Sequence, residues 1–512
     1  MFDKITYNEK FRIGDVLANR KIVEKFGNEI REYFYRQIES IRLIFSYCLE
    51  KQREKKTCYF PKEITDIDIE KLTNMYIEWE GANSNYLHLV YQAGKEFPIS
   101  ERTKLKAKKR YEEECEKILK DGVTFVYGAE VSFAPCEEVS SVDIKNGTIK
   151  AVYSRAWIAE NLDYPTLLNN FIYMFEFVDM QFRFAHVCRK NQLGIFERTI
   201  GVKGKKEYPI GMAFNQMQML AMAQMEGYYD CLVKNDVYIE DIIEWFFKKY
   251  LSEEFEVTGF VFNKPSLEST YVEKCRTIAA ELDSILHQYK LWCEDGVINQ
   301  ELLEFSSTPI SINQVPSQIE NKYVYACGED MFTLMHMVFS DQSLLGYIDG
   351  YHENRENFYD IVMYNEILVT MLKEYQIQSV EHLKNYGIID IQEGVIIPNR
   401  NKMWIMRELF YNEVIAYSYV HMCKEEIEEF RLRGMIEIGS SLFSKSEMDY
   451  YNYLFNKHDF SNSLDIRNRY VHGNQKSDDK QNKTDYYTML RMVILIIIKI
   501  NEEFCLKDNR DE

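Results

Sequence analysis

Breakers of regular structure are scarce: the 512 residues contain nine Pro and 22 Gly. That excludes a collagen-like or low-complexity chain and predicts long helices. Paired cysteine motifs are missing too. The eleven Cys stand at 48, 58, 115, 136, 188, 231, 275, 293, 327, 423 and 505, and no two have C-x-x-C spacing. This argues against a zinc ribbon or redox pair, and scattered thiols in odd number fit a reducing cytoplasm. Long apolar runs are absent. The longest, Met492 to Ile498, is bounded by Arg491 and Lys499, and a bilayer span needs about 20 residues. The start, MFDKITYNEKFRIGD, lacks the apolar core of a signal peptide. The expectation is a cytoplasmic protein that does not engage a membrane.

Common catalytic signatures are also missing. There is no Walker A motif, G-x-G-x-x-G, H-E-x-x-H or G-x-S-x-G. The nine His are dispersed, with no pair at ligand spacing on one helix, so neither a metal nor a cofactor is expected. Positive charge is outweighed: Lys and Arg number 62 against 81 Asp and Glu, for a net charge of −19. A field of that sign opposes non-specific coating of nucleic acid but permits a local basic groove.

What is present reads as a mainly α chain with small β-hairpins. Helical periods cover 9–55, 102–120, 164–190, 217–234, 239–251 and 268–294, then 330–340, 357–375, 379–386, 403–433, 445–457 and 483–506. Asn146-Gly147 between VSSVDIK and TIKAVY predicts a type I′ hairpin. A second hairpin is expected near 202–205, and a small wing-like one over 388–397. Ser444-x-x-Glu447 is a capping box, with Phe443 and Met448 as its staple. Residues 305–320, rich in Ser and holding two Pro, are the expected linker. The organisation expected is a mostly helical sensor or regulatory region over 1–320, a helical connector over 321–400 and a helical bundle over 401–512. In the last helix Leu490, Val493, Ile497, Ile500 and Phe504 form a stripe widened by Ile494, Ile496 and Ile498. A helix apolar on most sides belongs in a bundle centre or a dimer interface.

Several residue groups admit bland readings. His186 and His336 are expected as core or interface histidines, and Met217, Met219, Met222 and Met225 as core packing. Two basic clusters interrupt the acidic background: Lys104, Lys106, Lys108, Lys109 and Arg110, then Arg189, Lys190, Arg198, Lys203, Lys205 and Lys206. They read either as solvated faces or as a phosphate-tracking patch that guides RNA.

One segment carries chemistry, Leu464-Asp-Ile-Arg-Asn-Arg-Tyr-Val-His-Gly473. RNA brings its own nucleophile, the 2′-hydroxyl. Cleavage then needs a proton acceptor that titrates near neutrality, which His472 supplies, and a permanent cation for the phosphate, which Arg467 supplies. Asn468 is placed to orient either group or to donate to a phosphate oxygen. Arg467 and His472 are five residues apart, ~140° around an ideal helix. A distorted turn, or a second copy of the chain, must bring them together.

This segment resembles the R-x4-6-H motif of the HEPN superfamily, with Arg467, Asn468 and His472 at the motif positions and helices on both sides. The resemblance covers roughly 401–512. It implies a four- or five-helix bundle that dimerises so that two motifs face each other. It also implies a metal-independent endoribonuclease of the toxin or abortive-infection (anti-phage) kind. Arg469 and Tyr470 would then be RNA-binding helpers. No upstream Glu or Lys clearly matches the longer motif of some subfamilies. RNA, a second copy through the C-terminal bundle, and a trigger or inhibitor protein held by the N-terminal region are the partners expected. The alternative is a non-catalytic HEPN protein that binds RNA or a nucleotide, or only dimerises.

Overall fold

Few prolines and many long side chains leave helix as the dominant local state, and the computed structural model is mainly helical with small sheets of two or three strands. It describes residues 13–51, 57–120, 127–189, 192–193, 203–305, 310–351, 357–471, 473 and 478–511. The chain packs as two compact units. One comprises Met1–Val126, Leu193–Pro209 and Asn452–Ile466; the other comprises Tyr127–Gln192, Ile210–Tyr451 and Arg467–Glu512. The boundaries expected after residues 320 and 400 therefore fall inside the second unit, not at a seam.

The first unit holds α1 (Ile13–Leu17), α2 (Arg20–Lys25), α3 (Gly27–Arg36), α4 (Arg42–Cys48), α5 (Asp66–Glu78), α6 (Ser84–Tyr91) and α7 (Glu101–Lys120). The single helix expected over 9–55 is broken into pieces. Asn19 caps α2 by accepting from the Ile22 N–H, while Phe26 and Gln37 leave helical torsions. The helical period survives the breaks because Ile30, Phe34, Ile41 and Phe45 all enter one core with Leu72, Tyr76 and Leu87. Asp68 closes a capping box with Thr65 and is bound by Arg31 and Tyr35. These partners hold its carboxyl well below the usual carboxylate range.

The second unit opens with β1 (Gly128–Ala134), β2 (Ser140–Lys145) and β3 (Thr148–Ser154), then α8 (Arg155–Glu160), α9 (Tyr164–Tyr173), α10 (Met212–Val233), α11 (Ile239–Trp245), α12 (Leu251–Phe255), α13 (Tyr271–Asp295) and α14 (Gln300–Phe305). The Asn146-Gly147 turn forms as expected, both residues at positive φ, and joins β2 to β3 antiparallel. The sequence reading missed β1, which adds parallel to β3. Gly227, inside α10, is where Phe133 of β1 packs: a Cβ there would stand 2.5 Å from the ring.

The rest of the unit contains β4 (Tyr323–Ala326), α15 (Gly328–Phe339), α16 (Phe358–Tyr364), α17 (Glu374–Asn385), β5 (Ile389–Gln392), β6 (Val395–Pro398), α18 (Arg400–Asn412), β7 (Ile415–Ala416), α19 (Lys424–Leu432), β8 (Ile436–Gly439), α20 (Lys445–Phe455), α21 (Ile466–Val471) and α22 (Asp479–Asp511). Helices α20 and α21 each reach across a division between the units in the chain. The wing-like hairpin is present as β5 and β6. The Ser444–Glu447 capping box is present as well, the Ser444 N–H donating to Glu447 Oε2 at 2.7 Å.

Three expected helices are shorter than their periodicity suggests. The 164–190 helix stops at Tyr173: Glu176 is left-handed at φ 53°, and beyond it the Asp179 carboxylate accepts the backbone N–H groups of Gln181 and Arg183 in turns. The 403–433 helix stops at Asn412; Glu413 is left-handed and β7 follows, pairing with β4. The 357–375 helix stops at Tyr364. The hairpin expected near 202–205 is not a local one: Val202 lies outside the described residues, and Gly204 bridges to Glu50.

The expected linker is packed over its described part. Ile312, Val315 and Ile319 are buried, and Ser317 Oγ and the Gln318 N–H both donate to Glu503 of α22. Helix α22 lies along α13 and against α10 and α11. Met489 through Ile498 are each at most 2% exposed. Of the two positions open to so apolar a helix, it takes the bundle centre. Those side chains are covered by their own chain. Among the described residues no helix is long and apolar enough to cross a membrane.

Candidate functional site

Helix α21 is the short element that carries the motif. Asp465, left-handed at φ 52°, turns the chain into it. Ile466 and Tyr470, one turn apart, are buried, so Arg467, Asn468 and Arg469 are left half-exposed and Val471 exposed.

Arg467 points to α13. Its Nη2 donates to Asp283, and the two side chains are 20% and 18% exposed. Its Nε is buried without a hydrogen-bond partner. Burial pushes the Asp283 carboxyl above its usual range, against the lowering effect of Arg467 and, more weakly, of His287 one turn along α13. Tyr451 lies in the same electrostatic surroundings, and its hydroxyl is held far above its usual pKa by burial.

Arg469 makes a two-point pair with the nearly buried Asp485 of α22, at 2.9 Å and 3.4 Å. The Tyr470 hydroxyl is 2.8 Å from both Asn482 Oδ1 and Asp485 Oδ2. Burial raises its pKa well beyond the ordinary phenol range, so it is no base near neutrality. Gln481 completes the shell of Asp485 at 2.8 Å. Arg469 and Tyr470 thus tie α21 to α22, and a nucleic-acid contact by the buried Tyr470 ring would require opening that packing. Asn468 sits between the two arginines at half exposure. His472 lies outside the described residues, while Gly473 beyond it is left-handed.

The structure therefore brings together Arg467, Asp283 and His287, and separately Arg469, Tyr470 and Asp485. Asp283, His287 and Asp485 were missed from sequence. Asp283 and His287 stand i, i+4 within a predicted helix, but nothing in the local pattern says that this face meets residue 467.

The other candidates resolve differently. His186 is buried, as expected of a core histidine, and its pKa is lowered to about 3, first by burial and then by Arg491. His336 is exposed on α15, so of the two places expected for it, core or interface, the core is excluded. Of the four methionines only Met225 is buried, and Met219 is 49% exposed, so the cluster is not a core stripe. The first basic cluster is largely compensated on α7: Lys104 pairs with Glu101 at 2.9 Å and Arg110 with Glu114 at 2.9 Å. In the second, Arg189 stands 3.8 Å from Asp179, Lys205 donates to the Tyr47 carbonyl and Lys206 faces Glu96 at 3.8 Å. Lys190 and Arg198 lie outside the described residues. Pairing of this kind leaves few of these cations free for a phosphate track.

All eleven cysteines are free thiols. Among the described residues no group of three or more His, Cys, Asp or Glu is placed to hold a metal ion. Comparison with protein-family models, with curated proteins and with solved structures finds no match to this chain.

Proposed function

We propose that this chain is a metal-independent endoribonuclease of HEPN type, working as a toxin or anti-phage effector. The observation that supports this reading is Arg467. It is a permanent cation on a half-exposed helix face, held by one carboxylate, with an Nε–H to spare, five residues before His472. In the proposed reaction Arg467 binds the scissile phosphate. His472 takes the 2′-hydroxyl proton as O2′ attacks phosphorus. The P–O5′ bond breaks and a proton passes to the departing O5′. The products are a 2′,3′-cyclic phosphate and a 5′-hydroxyl. Asn468 orients the phosphate or the imidazole.

A second copy of the chain supplies the facing motif in this reading, and a partner bound by the N-terminal region restrains or triggers the enzyme. The reading places it in the cytoplasm. The alternative is a non-catalytic protein that binds RNA or a nucleotide, or only dimerises; the Arg467–Asp283 pair, which competes with phosphate, favours the last of these.

The test is induction of wild type, Arg467→Ala and His472→Ala, with total RNA resolved on a gel and the purified proteins assayed on RNA with EDTA. Cleavage by wild type alone, unaffected by EDTA and ending in a cyclic phosphate, is the expected result. Full activity of folded His472→Ala overturns the assignment, and RNA binding without cleavage selects the alternative.

A further inference from the structure

Away from α21, a cleft of about 280 Å³ opens between the segment entering β2, α8 and α9. Trp157 of α8 forms one wall, and Val139 and Met174 supply apolar surface. Tyr173, the last residue of α9, is 75% exposed and also lines the cleft. An aromatic ring so exposed beside a concave apolar wall offers a flat ligand a second face to stack on.

The polar groups are few and neutral. Asp163, the residue that caps α9, accepts the Thr166 backbone N–H at 2.9 Å, and the Thr166 side chain lines the cleft. The Asn170 amide is tied to the Tyr228 hydroxyl at 2.9 Å, which fixes that part of the lining. Asn169 is exposed, and its amide has no hydrogen-bond partner among the described residues. It precedes Tyr173 by one helical turn, so both project on one face of α9. A planar amide presents a donor and an acceptor side by side, the complement of a nucleobase edge.

We propose that this cleft binds a nucleobase, stacked against Trp157 and Tyr173 with its edge read by Asn169. The volume sits at the lower end for small-molecule sites, enough for a base with part of its sugar. Among the described residues no Lys, Arg or His lines it, so a phosphate finds no counter-charge from them. A sugar ring without a base would leave hydroxyls facing Val139 and Met174. The base belongs either to a free nucleoside or to an RNA strand. The proposal goes beyond the ribonuclease reading and stands without it.

The experiment is calorimetric titration of the full chain with adenosine, cytidine, guanosine, uridine and, as a control, glucose. It is repeated on Trp157→Ala and Asn169→Ala after their thermal melts confirm folding. At least one nucleoside saturates a single site, and Trp157→Ala weakens it about tenfold, the usual effect of losing one stacking ring. Asn169→Ala, at an exposed position, keeps the fold and changes the preference among bases. A short single-stranded RNA that displaces the nucleoside identifies a strand as the source; failure to displace identifies a free nucleoside. The proposal is overturned if no nucleoside binds, if glucose binds in their place, or if neither substitution changes binding.

Discussion

Arg467 is where the candidate chemistry and the fold compete. Its guanidinium is committed to Asp283, so a phosphate that binds Arg467 must displace or share that carboxylate. Asp283→Asn keeps an oxygen acceptor and removes the charge. RNA binding by this variant is expected to tighten several-fold, with a salt dependence steeper by about one released ion. Filter binding at three salt concentrations measures both quantities. Unchanged affinity would mean that Arg467 does not touch phosphate. His186 gives a residue-scale prediction independent of function. Its folded pKa is lowered to about 3, whereas the unfolded side chain titrates near 6.5. Below pH 6.5 the unfolded chain takes up a proton that the folded chain refuses. The stability that depends on this group is complete above pH 6.5 and falls by about 1.4 kcal/mol per pH unit as the pH drops toward 3. Urea midpoints at pH 7.5, 6 and 5 should show that slope reduced in His186→Gln. Equal slopes in the two proteins would remove His186 from the account.

At the scale of elements, the interior of the second unit holds charges as well as apolar surface. Lys322 of the strand region and Lys499 of α22 are buried beside Glu447, Glu502 and Glu503. Glu503 accepts from Ser317, Gln318 and Lys322 and pairs with the Tyr289 hydroxyl. It therefore joins α22, α13 and the segment before β4. Removing one member of such a network strands its partners without water, so Glu503→Ala should cost ~3–5 kcal/mol, read as a lower midpoint in chemical denaturation. A loss below 1 kcal/mol would mean that water or Glu502 replaces it. These long-range pairs also explain what the sequence hid. Local signals were legible where the deciding chemistry was local: Asn146-Gly147, the Ser444 box, and the apolar stripe of the last helix. The ends of α9 and α18 were not, because the left-handed Glu176 and Glu413 and the pairing with β4 follow them, and a helical period continues across a break when both sides feed one core. For the candidate site, Arg467, Asn468 and His472 were readable as a motif, but Asp283 and Asp485 become visible only when α13 and α22 meet α21.

At the scale of the molecule, a net charge of −19 repels RNA until a local cation takes hold. A composite site built from two chains would double the cations at the point of contact. Helix α22 cannot provide that interface with its apolar stripe, which is already buried. The pairing must use outer faces, and Val471, 54% exposed beside the motif, is the apolar side chain available on α21. A dimer of the proposed kind would therefore depend on a modest surface, and its mass in light scattering should fall from twice 61.1 kDa toward one chain on dilution. Val471→Glu should shift that transition to higher protein concentration. Catalysis gives the sharper test. If each site takes its phosphate-binding Arg from one chain and its proton-transfer His from the other, Arg467→Ala and His472→Ala are each inactive alone but regain cleavage when mixed. The mixed dimer keeps one intact Arg and one intact His in facing positions. If the site lies within one chain, mixing restores nothing whatever the mass, and the second copy loses its place in the mechanism.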